Sequence, residues 1–193
     1  MVDLDRLFNP RTVAVVGDKK GQGFFWLKSL KPFQGKVYSV QIDPKEIPEI
    51  EALGFPNYTS LLDIPDDIDF VICSAPRAAA LKVVQDCIRK RVGGVTLFTS
   101  GFAETHTEEG RNAQEQLTQM AKEAGLKLIG PNCMGIFNPK IGLRFNVDQF
   151  YGEALHQIDA IDKLAKDNPT RLRVARTAAD VRANAAAGVM SAL

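Results

Sequence analysis

The sequence predicts an α/β fold: a parallel sheet of about five strands with helices on both faces, followed by a helical C-terminal tail. Three observations predict it. Short apolar runs rich in β-branched residues recur at helix-sized intervals. They do not alternate polar with apolar, as strands buried on both faces do not. The segments between the later runs carry apolar residues at helical spacing.

The first strand is 12–17 (TVAVVG), which passes at once into a glycine-rich turn. The others are 36–42 (KVYSVQI), 68–74 (IDFVICS), 93–99 (GGVTLFT) and 126–129 (LKLI). A helix is expected over 77–91, where Ala80, Val83, Val84, Cys87, Ile88 and Arg91 share a side, and another over 107–124, through Leu117, Met120, Ala121 and Ala124. Strand, helix, strand repeated in this way requires right-handed crossovers, which makes the fold Rossmann-like, with 3-2-1-4-5 the expected strand order. Such sheets bind ligands beyond the carboxyl ends of their strands, where the strand order reverses.

Near residue 150 the texture changes, dividing the chain into a domain over 1–150 and an extension over 151–193. An amphipathic helix is expected over 153–166, with Leu155, Ile158, Ile161, Leu164 and Ala165 on one stripe and Asn168-Pro169 ending it. A second helix, rich in Ala and Arg, is expected from Thr170 to about Ala187.

The 193 residues are 45% hydrophobic and 24% charged, with a formal net charge of +1. That balance argues against nucleic acid or an anionic membrane as partner. Asp3, Asp5 and Arg6 near the start rule out a secretory signal there, and no apolar run is long enough to span a bilayer, so a cytoplasmic location is expected. Cys73, Cys87 and Cys133 are odd in number and lack zinc-site spacing, which fits reduced thiols, two of them in the core.

The chemistry concentrates after the strands. The turn Gly17-Asp18-Lys19-Lys20-Gly21-Gln22-Gly23 leads into a helix near Phe24. Glycines let backbone approach a phosphate, a helix start adds about 0.3–1 kcal/mol, and Lys19 and Lys20 add charge. A tight turn with solvated lysines is the alternative. At the end of the second strand Asp43 suits a free ribose hydroxyl and Lys45 a phosphate; equally, Asp43 caps the turn before Pro44. Ser74-Ala75-Pro76 and Ser100-Gly101-Phe102-Ala103-Glu104 put small and polar residues along the same edge, and the fifth strand gives way to Gly130-Pro131-Asn132-Cys133-Met134-Gly135.

Taken in order, Pro10 to Gly17, Val37-Tyr38 with Pro44-Lys45, Tyr58 to Leu61 with Asp63-Ile64-Pro65, Ser100 to Glu104 and Ile129 to Ile136 resemble the CoA-binding domain of NDP-forming acyl-CoA synthetases. The same fold opens the α subunit of succinyl-CoA synthetase. The resemblance covers residues 8 to about 147 and implies coenzyme A or acyl-CoA as ligand. It implies that Gly17, Asp18, Lys19, Lys20, Gly21, Gln22 and Gly23 hold the nucleotide phosphates and that Lys45 meets the phosphate end. Ser74, Ala75 and Pro76 would line the middle of the groove, Ser100, Gly101 and Glu104 would flank the pantetheine arm, and Asn132 and Cys133 would stand near the thiol.

Complete synthetases of this kind continue into a phosphohistidine domain and an ATP-grasp module. Neither is visible here: His106 lies in a loop and His156 in the expected tail helix. No Ser-His-Asp set, metal-ligand cluster or P-loop lysine appears, so no catalytic residue is assigned. The chain is expected to bind CoA, either alone or as the CoA-site part of an acid–thiol ligase completed by a partner chain. Assembly into a homo-oligomer through the tail helices is a further expectation. The alternative, motivated by Asp43 and the phosphate loop, is an NAD(P)-linked oxidoreductase or nucleotide sensor.

Overall fold

A computed structural model describes residues 4–145, 159–175 and 177–192. The chain forms two compact units, Met1–Asn146 and Val147–Leu193.

Strand β1 (Thr12–Val16) is buried at every position. It runs parallel to β2 (Lys36–Val40) on one side and β4 (Phe70–Cys73) on the other. With β3 (Asn57–Tyr58), β5 (Gly94–Leu97) and β6 (Lys127–Ile129) the sheet has six strands in the order β3-β2-β1-β4-β5-β6. The run at 68–74, expected beyond the second strand, lies instead against β1. The edge place belongs to β3, whose two residues are too few to show a period.

Side chains alternate across the sheet. Ala14 and Val16 join the core under helices α4 (Arg77–Lys90) and α5 (Glu108–Ala124), through Ala80, Val84, Cys87 and Leu117. Val13 and Val15 join the opposite core with Leu7 of α1 (Asp5–Phe8), Trp26 and Leu27 of α2 (Phe25–Ser29), and Ile50 of α3 (Ile47–Ala52). Helix α5 starts where Thr107 Oγ1 accepts from Gly110 N at 3.0 Å and stops at Gly125, in the left-handed conformation that ends helices. Cys73 and Cys87 lie in the first core, and burial pushes the Cys73 thiol up to about 11.

The second unit is not purely helical. Helix α6 covers 159–167, where Ala165 is buried but Ile161 and Leu164 are exposed; Leu155 and Ile158 lie outside the described residues. The expected helix from Thr170 is corrected. Residues Leu172–Val174 form β7, parallel to β8 (Met190–Ala192), and helix α7 spans only Ala178–Ala186. A capping box fixes that start: Thr177 Oγ1 accepts from Asp180 N at 3.1 Å, and Asp180 Oδ2 accepts from Thr177 N at 2.8 Å.

Candidate functional site

The strand order reverses between β1 and β4, and at that point the chain crowds together. Gly17 leaves β1 with φ +82°, and a Cβ there would stand 2.8 Å from both Ala75 Cα and Ala75 N. Only glycine fits both demands. Beside this contact opens a cavity of about 480 Å³ between the ends of β1 and β2 and the flank of α4. Val40, Ile42, Leu61, Ala79 and Val83 give it apolar walls; Lys19, Glu46, Lys82 and Asp86 bring charge. Of the residues expected to bind a ligand, Gly17, Lys19, Ala75 and Pro76 line it, as does Asp43.

The rest of the loop over 17–23, expected to hold phosphates, is arranged otherwise. Asp18 points inward, only 1% exposed, and its carboxylate accepts from Leu27 N at 2.9 Å and Lys19 N at 3.1 Å. Burial pushes this carboxyl up, and the amides of Leu27, Lys19 and Trp26 pull it partly back. The first turn of α2, whose free N–H groups were expected to point at a phosphate, thus has its Leu27 amide engaged by the protein's own acid. Lys20 donates from its backbone N to Glu46 Oε2 at 2.7 Å, and its Nζ pairs with Glu49 Oε2 at 2.9 Å. Residues Lys20–Gln22 make one 3₁₀ turn that Gly23 closes, so Gly21, Gln22 and Gly23 are exposed and stand outside the cavity lining.

Gln41, which the sequence did not single out, knits this region together. Its Nε2 donates to Asp18 O at 2.9 Å while its Oε1 accepts from Ile42 N at 2.9 Å and Asp43 N at 3.1 Å. Asp43 Oδ1 in turn accepts from Lys45 N at 2.9 Å, capping the turn before α3. Lys45 is exposed and lies in sequence between the lining residues Asp43 and Glu46, but is not itself among them.

A second group lies over β5 and β6. Thr99 Oγ1 donates to Ala75 O at 2.6 Å, and Arg77 Nη1 donates to Gly101 O at 2.8 Å while its Nη2 pairs with Glu109. Glu104 accepts from Gly101 N at 2.6 Å and Phe102 N at 3.0 Å. Desolvation pushes its carboxyl up, but the amides of Gly101, Glu104 and Phe102 prevail and hold it below the usual range. Glu104 thus shapes the loop that leaves Ser100 exposed. The Gly130–Gly135 turn is strapped to the same end, with Asn132 N donating to Thr99 O at 3.0 Å and Cys133 N to Leu97 O at 3.2 Å. Asn132 is exposed, Cys133 half-buried, and the Ser74 Oγ is buried with no hydrogen-bond partner among the described residues.

A sheet of this topology, with a cavity at its switch point and a strapped turn after the last strand, can hold an extended nucleotide ligand. Comparison with known families gives a match to the CoA binding domain over residues 11–139. The chain belongs to this CoA-binding family. The α subunit of acetate–CoA ligase [ADP-forming] II of Pyrococcus furiosus is 38% identical over 144 residues, which is 72% of this chain and 30% of that one. Acetate–CoA ligase [ADP-forming] I of Archaeoglobus fulgidus is 38% identical over 143 residues, 72% of this chain and 20% of that one. Among solved structures, Ca. Korarchaeum cryptofilum dinucleotide forming acetyl-coenzyme A synthetase 1, in complex with phosphate and ADP, is 34% identical with a TM-score of 0.65. That match covers 74% of this chain and 30% of the synthetase. The CoA-binding domain therefore corresponds to less than a third of these relatives. Among its described residues no helix is long and apolar enough to cross a membrane.

Several lining residues of the CoA-binding domain escaped the sequence, among them Ile42, Lys82 and Asp86, while Ser60 and Leu61 were read only as part of a family motif and not as cavity lining. A signal existed for Lys82 and Asp86. Ala79, Lys82, Val83 and Asp86 stand at i, i+3, i+4 and i+7, so α4 carries charge on a face adjoining its apolar stripe.

Proposed function

We propose that the cavity at the β1/β4 switch point receives the nucleotide end of coenzyme A, and that the pantetheine arm runs over the ends of β5 and β6 toward Asn132 and Cys133. The observation that carries this reading is that the CoA-binding match over 11–139 spans every strand bordering the cavity. Gly17 gives the close backbone approach a phosphate needs, and Lys19 supplies the cation at the cavity wall. Lys45, exposed and next in sequence to the lining residue Glu46, serves the terminal phosphate. Ser74, Ala75, Pro76, Ser100 and Gly101 border the path of the arm; Asp18 and Glu104 act by holding its loops. Lys20, Gly21, Gln22 and Gly23 frame the first turn.

Isothermal titration of the full chain with CoA and with dephospho-CoA tests the proposal. Micromolar affinity, about −8 kcal/mol, is expected for CoA, with a weaker value for dephospho-CoA that Lys45→Ala reproduces. No heat with CoA at concentrations suited to that affinity overturns it.

In this reading the chain supplies the CoA site of an acid–thiol ligase, its phosphoryl chemistry carried by another chain or another part of a longer protein. The relatives named as ADP-forming acetate–CoA ligases support that place for it. The exposed Ile161 and Leu164 of α6 offer a face for a partner or a second copy. Light scattering on the chain with and without residues 151–193 checks this; an unchanged oligomeric state removes the tail from assembly.

A further inference from the structure

Asp86 is the least expected residue in the cavity. It is 7% exposed, and its Oδ2 pairs with Lys82 Nζ of the preceding turn. Its Oδ1 is buried without a hydrogen-bond partner among the described residues, the Arg89 Nη1 standing 3.9 Å away and beyond hydrogen-bond range. A buried acceptor left unmet is costly, and native proteins keep few of them. Here the free oxygen belongs to a side chain lining the cavity.

The cavity has direction. Ala75 touches Gly17 at the phosphate-compatible end. Asp86 lies nine residues into the helix that starts at Arg77, about 13 Å along its axis. Between them Val40, Ile42, Leu61, Ala79 and Val83 form walls suited to a flat, apolar ring. A ligand with phosphates at Gly17 and Lys19 extends its base toward Asp86. A carboxylate only accepts, so it needs a donor on that base, and the donor on adenine's outer edge is the exocyclic 6-amino group.

We infer that Asp86 is a specificity-determining residue, accepting a hydrogen bond from the exocyclic amino group of the bound nucleotide's base and so selecting adenine. This rests on the CoA reading above and deepens it.

The test compares the full chain's affinity for CoA with that for a CoA analogue whose base is unsubstituted purine, identical but for the missing amino group. The wild type is expected to prefer CoA by about tenfold or more, as for a hydrogen bond to a charged acceptor. Asp86→Ala reduces the preference to within about twofold, and Asp86→Asn, which keeps a neutral acceptor, falls between. A merely structural role for Asp86 would weaken both ligands alike. Should Asp86→Ala not fold by circular dichroism, Asp86→Asn decides by the same shrinking ratio. A wild-type preference within twofold, or a full preference retained in the variants, overturns the inference while leaving CoA binding intact. Absence of any CoA binding overturns both.

Discussion

Replacing Gly17 by alanine isolates the contact on which the site is built. Two penalties act there: a left-handed backbone at φ +82°, and a Cβ placed 2.8 Å from Ala75 Cα and N. Gly23 shares the first penalty, with φ +67°, but its Cβ would meet nothing within 4 Å. Left-handed backbone costs a non-glycine residue about 1–2 kcal/mol. Overpacking against atoms that cannot swing away adds about 1–3 kcal/mol, and Ala75 Cα and N are main-chain atoms held between β4 and α4. Gly23→Ala should therefore cost about 1–2 kcal/mol and Gly17→Ala about 2–5 kcal/mol. Urea unfolding followed by far-ultraviolet circular dichroism reads the difference, provided the m-values agree. Gly17→Ala should also weaken CoA binding, because relief of the clash moves the wall of the cavity. Equal destabilisation of the two variants, within about 0.5 kcal/mol, would refute the claim that the β1 and β4 turns are in forced contact.

Two carboxyls should move stability in opposite directions with pH. Asp18 has a folded pKa raised above its ordinary 3.8, so its contribution is fully present below that value and lost as pH rises through the folded one. Asp18→Asn removes this dependence, and its unfolding free energy should gain on the wild type's as pH rises above 3.8. Glu104 has a folded pKa below its ordinary 4.5, so its contribution is present above 4.5 and lost as pH falls through the folded value. Glu104→Gln should lack that acid-side loss in the same titration. For ligand binding, Lys19→Met is expected to weaken CoA roughly threefold to tenfold, and Lys20→Met less than about twofold, because Glu49 already holds Lys20. Calorimetry on the two variants checks the order, and the reverse order would count against it.

What could be read from the sequence depended on the range of the interaction that decides each feature. Strand β1 was legible because all of its residues are buried, and burial on both faces leaves a run without alternation. Helices α4 and α5 were legible because each shows a period of its own over at least 14 residues. Strand β3 was not, since two residues carry no period and its place is set by pairing with Ser39 and Val40. The tail is a different kind of miss: Thr177 and Asp180 spell a capping box in the sequence itself, and that signal places the start of α7 after Thr177.

The glycine-rich loop over 17–23 shows the limit most clearly. Its glycines and lysines have a local meaning, yet which of its two cations stays available is fixed by acids far along the chain. Lys20 is committed to Glu46 and Glu49, 26 and more residues away, whereas Lys19, its neighbour, faces the cavity. The inward turn of Asp18 depends on where Leu27 N comes to lie once α2 packs on the sheet. Two adjacent lysines of identical chemistry thus acquire different surroundings from tertiary partners alone, so composition locates a candidate loop but only the packed structure divides the residues that face the cavity from those that hold the loop in place.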